Sequence, residues 1–140
     1  MTISRMPRRA LTGLAATVSA LALSTAPAFA GDDAHAKSIS ENCGVLGCVT
    51  QLHAEAWFYS DGDHWKLCDS DADGDRVDMS VGWDDSAGSH FLTLEVTGGQ
   101  GACATGQRNI PEGKKVTIQV WHRNGANGSG KDIATAHGTA

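Results

Sequence analysis

Asp69-Ser-Asp-Ala-Asp-Gly-Asp75 is the densest run of chemically active side chains in the chain. Carboxylates at alternate positions can converge on a hard cation once a glycine turns the backbone sharply, as in a calcium loop of the EF-hand kind. Asp69, Asp71, Asp73 and Asp75 are therefore a calcium candidate, and no other cofactor is expected. The pattern then breaks. The twelfth position of such a loop is Ser80 rather than a bidentate glutamate, and no helix is expected on either side. The competing reading is a solvated acidic turn between strands.

The second group is sulfur. Cys43-Gly-Val-Leu-Gly-Cys48 would close a small covalent loop with Val45 and Leu46 at its tip. Gly44 and Gly47 permit a sharp turn there. Four cysteines allow three pairings. The expected one is Cys43–Cys48 with Cys68–Cys103, the second tying the Asp-rich loop to a Gly-rich loop. A zinc site is the alternative, but the chain lacks paired C-x-x-C spacing. A loop as small as 43–48 contributes less to global stability than to preorganisation for a partner. Its alternative role is a plain structural clip.

Catalytic chemistry has little to build on. His35, His53, His64, His90, His122 and His137 are scattered, and none makes an H-x-x-x-H spacing. No G-x-S-x-G elbow is present. Paired cysteines leave no reactive thiol. No catalytic residue is assigned, and the chain is not expected to be an enzyme. Trp57, Tyr59 and Trp121 alternate out of phase with the apolar positions of their strands. They form a candidate aromatic surface for sugars or protein, unless those faces are themselves buried.

The elements that must carry these groups are strands. Leu52, Ala54, Ala56 and Phe58 alternate with Gln51, His53, Glu55 and Trp57. The same period of two recurs over His64–Cys68, Arg76–Trp83, His90–Val96 and Lys115–Arg123, with a weaker run at Ile133–His137. Turn residues separate the runs, and no helical period appears beyond the leader. An all-β fold is expected, a small antiparallel β-sandwich of immunoglobulin-like or barrel-like type, stapled by two disulfides.

The chain opens with Arg5, Arg8 and Arg9, an apolar run from Ala10 to Leu23, and Ala28-Phe-Ala30. That is the layout of a secretory signal peptide over residues 1–30. Cleavage would leave 110 of 140 residues and move the formal net charge from −5 to −8 by removing three arginines. So acidic a chain is a poor ligand for nucleic acid or an anionic membrane. Residues 31–42 are polar without periodicity and read as a flexible N-terminal arm. Residues 43–140 read as one β-domain. The expected location is secreted and extracellular.

The stretch from His53 to about Val81 resembles small secreted β-proteins of filamentous soil bacteria. The residues that carry the likeness are Ala56-Trp-Phe-Tyr59, Asp69-Ser-Asp-Ala-Asp-Gly74 and Val77 to Val81. With a disulfide loop near the mature N-terminus, the chain is similar to one subgroup of these, the bridging subunit of umbrella toxin particles. The resemblance implies an antibacterial toxin complex. In it, the bridging protein joins a large toxin subunit to a trypsin-like, non-hydrolytic, lectin-bearing subunit. Cys43, Gly44, Val45, Leu46, Gly47 and Cys48 would be the element inserted into that subunit's cleft. The expected function is therefore a non-enzymatic adaptor. An inhibitor of a secreted hydrolase using the same loop and a small carbohydrate-binding module using the aromatics are the alternatives.

Overall fold

The computed structural model describes residues 31–140, so the leader expected over residues 1–30 lies outside them. The described residues form eight strands: β1 (Ala34–Gly44), β2 (Gly47–Tyr59), β3 (His64–Asp69), β4 (Arg76–Asp85), β5 (Gly88–Val96), β6 (Cys103–Gln107), β7 (Lys115–Arg123) and β8 (Lys131–Thr139). They make two four-stranded antiparallel sheets, ordered β1-β2-β3-β6 and β5-β4-β7-β8. The all-β expectation holds, and so does the disulfide pairing, Cys43–Cys48 and Cys68–Cys103. Among the described residues no helix is long and apolar enough to cross a membrane.

Period two decides which side chains meet between the sheets. Ala54, Ala56 and Phe58 of β2 and Trp65 and Leu67 of β3 point inward from one sheet. Val77, Met79, Val81 and Trp83 of β4, with Val116, Ile118 and Val120 of β7, meet them from the other. Large side chains from both sheets, Phe58 and Leu67 from one and Met79 and Ile118 from the other, make up the buried layer between them.

Residues 31–42, expected to be a flexible arm, are corrected by the structure. Most of this segment is β1, paired along its whole length with β2 from Ala34↔Phe58 to Gly44↔Gly47. Its inward positions are Ala34, Ala36 and Ser38, with His35, Lys37 and Ile39 outward. Alanine and serine carry too little apolar signal to announce a strand. They are small because β1 lies across β7 and β8. Asp32 and Thr139 close that corner with two backbone hydrogen bonds, of 2.9 and 2.8 Å. The β-domain therefore starts before residue 43. A second correction concerns part of the Gly-rich loop around Cys103. Cys103–Gln107 is an edge strand, in register with His64–Cys68 of β3.

An ion network braces the outer face of the second sheet. Arg123 grips Asp78 through Nε and Nη2 at 2.6 and 3.1 Å, and Nη2 reaches Glu95 at 2.6 Å. Arg76 Nη1 donates to the same Glu95 oxygen at 2.9 Å. The Arg76 hydrogen bond, assisted by both guanidinium charges, holds the Glu95 carboxyl below its ordinary value. A carboxylate with a lowered folded-state pKa adds stability above its unfolded value, about 4.3. That contribution is lost as the pH falls through the folded value. Glu95→Gln should lower the melting temperature at pH 7, and the difference from wild type should shrink and disappear as the pH falls through the folded value. Thermal melts across that range check it. A constant offset at all pH values would mean the carboxylate charge is not what matters.

Candidate docking hairpin and the cluster at its root

The β1–β2 hairpin outruns the sandwich. From Glu41 to Gln51 every residue is exposed. Four residues on each strand beyond the sheet body carry the tip on the order of 15 Å into solvent. Val45 and Leu46 form the two-residue turn and are 105 % and 103 % exposed. Val49 and Ile39 extend the apolar surface down the hairpin. Two-residue hairpin turns favour residues with positive φ, which match the strand twist. Here only Gly47 takes one, at 126°. Val45 and Leu46 are therefore poor turn formers by local preference. The Cys43–Cys48 disulfide, joining directly opposed residues, holds the two strands together below them.

At the root of this hairpin the regular register breaks twice, once in each sheet. Ser38 pairs with Ala54 and Ile39 with Leu52, so His53 bulges out of the β1–β2 ladder. Val120 pairs with Ala134 and His122 with Lys131, so Asp132 and Ile133 together face Trp121. Asp132 takes φ +49°, unusual for a residue with a side chain. Bulges re-aim side chains, and they gather next to functional sites. Here they turn His53 and Asp132 toward one spot between the sheets.

His53 and His122 meet there as parallel rings, with centroids 3.9 Å apart and planes 4° off parallel. Their side chains are only 8 % and 6 % exposed. The Nδ1 edge of the pair faces the Asp-rich turn. His53 Nδ1 lies 3.1 Å from Oδ2 of both Asp71 and Asp73. His122 Nδ1 lies 3.0 Å from Asp75 Oδ2 and 3.9 Å from Asp73 Oδ2. The Nε2 edge faces away. His53 Nε2 is 2.8 Å from Ser40 Oγ, and His122 Nε2 is 2.8 Å from Asp132 Oδ2. Asn124 Nδ2 donates to Asp75 Oδ1 at 2.9 Å. The His53 carbonyl accepts from Ser70 N at 2.9 Å, which ties the Asp-rich turn to the bulge.

The four aspartates expected to act together are split. Asp71, Asp73 and Asp75 address the imidazoles. Asp69 is buried on its own turn, where Oδ1 accepts from Asp71 N at 3.0 Å and Oδ2 has no partner. Burial, joined by the charges of Asp73, Asp71 and Asp75, raises the Asp69 carboxyl above its ordinary value. Burial pushes Asp75 upward too. The Asn124 hydrogen bond, Lys131 and His122 outweigh it and hold that carboxyl low.

Ser40, His53 and Asp73 reproduce the connectivity of a serine triad, with Ser at Nε2 and Asp at Nδ1. Ser40, however, sits mid-strand in β1, paired with Gln51. A nucleophile needs N–H donors aimed at a developing oxyanion. The strained turn that offers them in hydrolases has no counterpart at Ser40.

The aromatic trio is divided as well. Trp57 and Tyr59 share the outer face of β2, whereas Trp121 lies on the outer face of β7 in the other sheet. All three are half-buried. Trp57 stacks on His35 at 4.9 Å with Lys66 above it, and Tyr59 stacks on His64 at 4.6 Å.

Sequence reasoning missed His53, His122 and Asp132 as a group. They are separated by 69 and 10 residues, and only the two bulges bring them together. His122, a polar residue in phase with the apolar Val116, Ile118 and Val120, is the one trace they leave in the sequence. In comparisons with protein-family models, with curated proteins and with solved structures, nothing matches this chain.

Proposed function

We propose that this protein is a secreted, non-enzymatic adaptor that docks the Cys43–Cys48 tip of its hairpin into a cleft on a partner protein. The observation that supports this most is the full exposure of Val45 and Leu46 on a covalently closed, projecting hairpin. Two apolar side chains displayed this way gain nothing for folding, since they bury no area within the domain. They gain about 1.5–3 kcal/mol each when a pocket receives them. The disulfide has already restricted the tip, so docking loses less conformational entropy.

The partner fits the resemblance noted above. It is a trypsin-like, non-hydrolytic, lectin-bearing subunit, with the β-sandwich body free to hold a large toxin subunit of the same antibacterial particle. The tip geometry favours this over a hydrolase inhibitor. A substrate-like inhibitor presents an extended run of residues to the cleft, whereas here the exposed apolar pair occupies a two-residue turn. The carbohydrate-binding reading is weakened by the separation of Trp121 from Trp57 and Tyr59 and by the side chains stacked on those two.

Affinity purification of the tagged chain from the culture medium of its native host tests the proposal. The expected result is recovery in a stoichiometric complex with a protein bearing a protease-like domain and a much larger protein. Recovery solely as a free monomer would refute it. Loss of a hydrolase's activity on addition of the chain would favour the inhibitor reading instead.

A further inference from the structure

We propose that the outer face of the second sheet carries a cleft for a neutral glycan, with one pyranose ring seated over Gly82 and against the ring of Phe91. The cleft encloses about 440 Å³ between side chains of β4, β5 and β7. That lies within the roughly 300–1,000 Å³ of small-molecule sites.

The floor is the first argument. Gly82 sits in β4, an inner strand, opposite Phe91 of β5 on one side and Thr117 of β7 on the other. It is not among the glycines with positive φ, so the backbone there does not call for one. Glycine inside a strand is destabilising by about 0.5–1 kcal/mol relative to alanine. Where it occurs, it often marks close approach by another backbone or by a ligand. No loop makes that approach here. A methyl group at Gly82 would have as its nearest neighbours two ring carbons of Phe91, at 3.0 and 3.2 Å, and the His90 carbonyl of the paired strand, at 3.5 Å.

The wall is the second. Phe91 is 75 % exposed, and no other phenylalanine, tyrosine or tryptophan among the described residues is left so open. A ring this accessible buries little area within the domain and so adds little to folding. It does offer a flat apolar surface at the rim of a polar cleft. A pyranose whose hydroxyls are equatorial presents C–H groups on its faces, and these stack on such a ring.

The third argument is polarity and charge. Ser80, Thr117 and Gln119 also line the cleft. Their hydroxyls and amide both donate and accept, as sugar hydroxyls do. Two of them are already oriented by β8. Thr117 Oγ1 lies 3.0 Å from His137 Nδ1, and Gln119 Nε2 donates to Thr135 Oγ1 at 3.3 Å. Side chains fixed beforehand lose less freedom when a ligand arrives. The charged lining residues are Asp84 and Lys115, one of each sign, at the same end of the cleft. Their charges cancel. A phosphate or carboxylate ligand calls for an excess of cationic donors, which this lining lacks. The complement is a neutral, hydroxyl-rich ligand with an apolar face.

The purified chain is titrated by calorimetry and amide NMR with cellotriose, maltotriose and N-acetylated chitotriose, and with trigalacturonic acid as the charged comparison. At least one neutral trisaccharide should bind saturably, and the acid should not. The shifted amides should centre on Ser80, Gly82, Phe91 and Thr117. Phe91→Ala should weaken binding about tenfold. Phe91→Leu, which keeps an apolar cover beside Gly82 but no ring, should weaken it comparably, and Phe91→Tyr should retain it. Saturable binding of none of the neutral trisaccharides, or tighter binding of the acid, would overturn the proposal. So would shifts centred on Trp57 and Tyr59 of the other sheet. Wild-type affinity in Phe91→Leu would overturn it too, reducing Phe91 to a lid on the glycine gap. The wild-type titration needs no variant to fold. The cleft lies in the sheet that does not carry the hairpin, and no partner protein is added, so the outcome is independent of the adaptor reading.

Discussion

Val45→Asp combined with Leu46→Asp should reduce partner binding by more than a thousandfold while shifting the melting temperature by no more than about 1 °C. The stability half rests on exposure. Both side chains are as accessible as in an extended chain, and the hairpin around them, from Glu41 to Gln51, touches no core. Substitutions at such positions usually change stability by less than about 0.5 kcal/mol. The binding half rests on what a cleft must do with the tip. Burying a valine and a leucine contributes about 1.5–3 kcal/mol apiece. Aspartate in the same pocket forfeits that and must also shed its water without a partner charge. A loss beyond about 4 kcal/mol follows, which is roughly a thousandfold. Calorimetry or surface binding against the co-purified partner, alongside a thermal melt, reads both halves. Unchanged affinity would remove the tip from the interface. A fall of many degrees in melting temperature would place Val45 and Leu46 in the fold rather than at its contact.

How far the sequence discloses this molecule depends on the size of its buried side chains. The strands β2, β4 and β7 were legible because Phe58, Met79, Val81, Ile118 and Val120 mark a period of two that few other structures produce. Strand β1 was not, although its burial alternates as cleanly. Its inward residues are Ala34, Ala36 and Ser38, and none of them separates a strand from a polar tail by composition. By composition alone the hairpin therefore reads as a small loop on a loose arm. It is the end of a continuous two-stranded ribbon, and the ribbon is what gives the tip its reach. The disulfide pairing was legible for a different reason. Cys43 and Cys48 make a local pair, which favours one of the three possible pairings without excluding the other two, and the structure has that one.

The His–Asp cluster was half legible. The spacing of Asp71, Asp73 and Asp75 announced a group of converging oxygens, and they do converge, on imidazoles. What strict alternation hides is a bulge. His53 falls on the predicted outer face of β2, and one extra residue in the ladder turns it inward beside Ala54. A bulge is fixed by packing of the whole sheet on its neighbour, so no local residue pattern reports it. The same holds for Asp132, whose positive φ belongs to the β8 irregularity rather than to a glycine-marked turn.

The two disulfides should separate fold from contact. Cys68→Ser with Cys103→Ser opens a closure across 35 residues. The chain-entropy relation assigns such a closure about 4 kcal/mol of stability. That is a large share of the 5–15 kcal/mol typical of a domain. The urea midpoint, read from the buried Trp65 and Trp83, should fall accordingly. At low temperature, where the domain remains folded, partner affinity should stay within a few-fold of wild type, because the hairpin lies on β1 and β2 and the lost bond joins β3 to β6. Cys43→Ser with Cys48→Ser should do the reverse. The same relation gives a five-residue closure about 2 kcal/mol, but here the ordered segment is the exposed tip alone. Opening it frays residues Glu41 to Gln51 without unpacking Ala54, Ala56 or Phe58. The urea midpoint should barely move while affinity drops at least tenfold, since docking must then order the tip as well as bury it. Equal stability losses from the two pairs of substitutions would mean that the hairpin tip and the sandwich fold as one unit, and that the small disulfide is a clip after all.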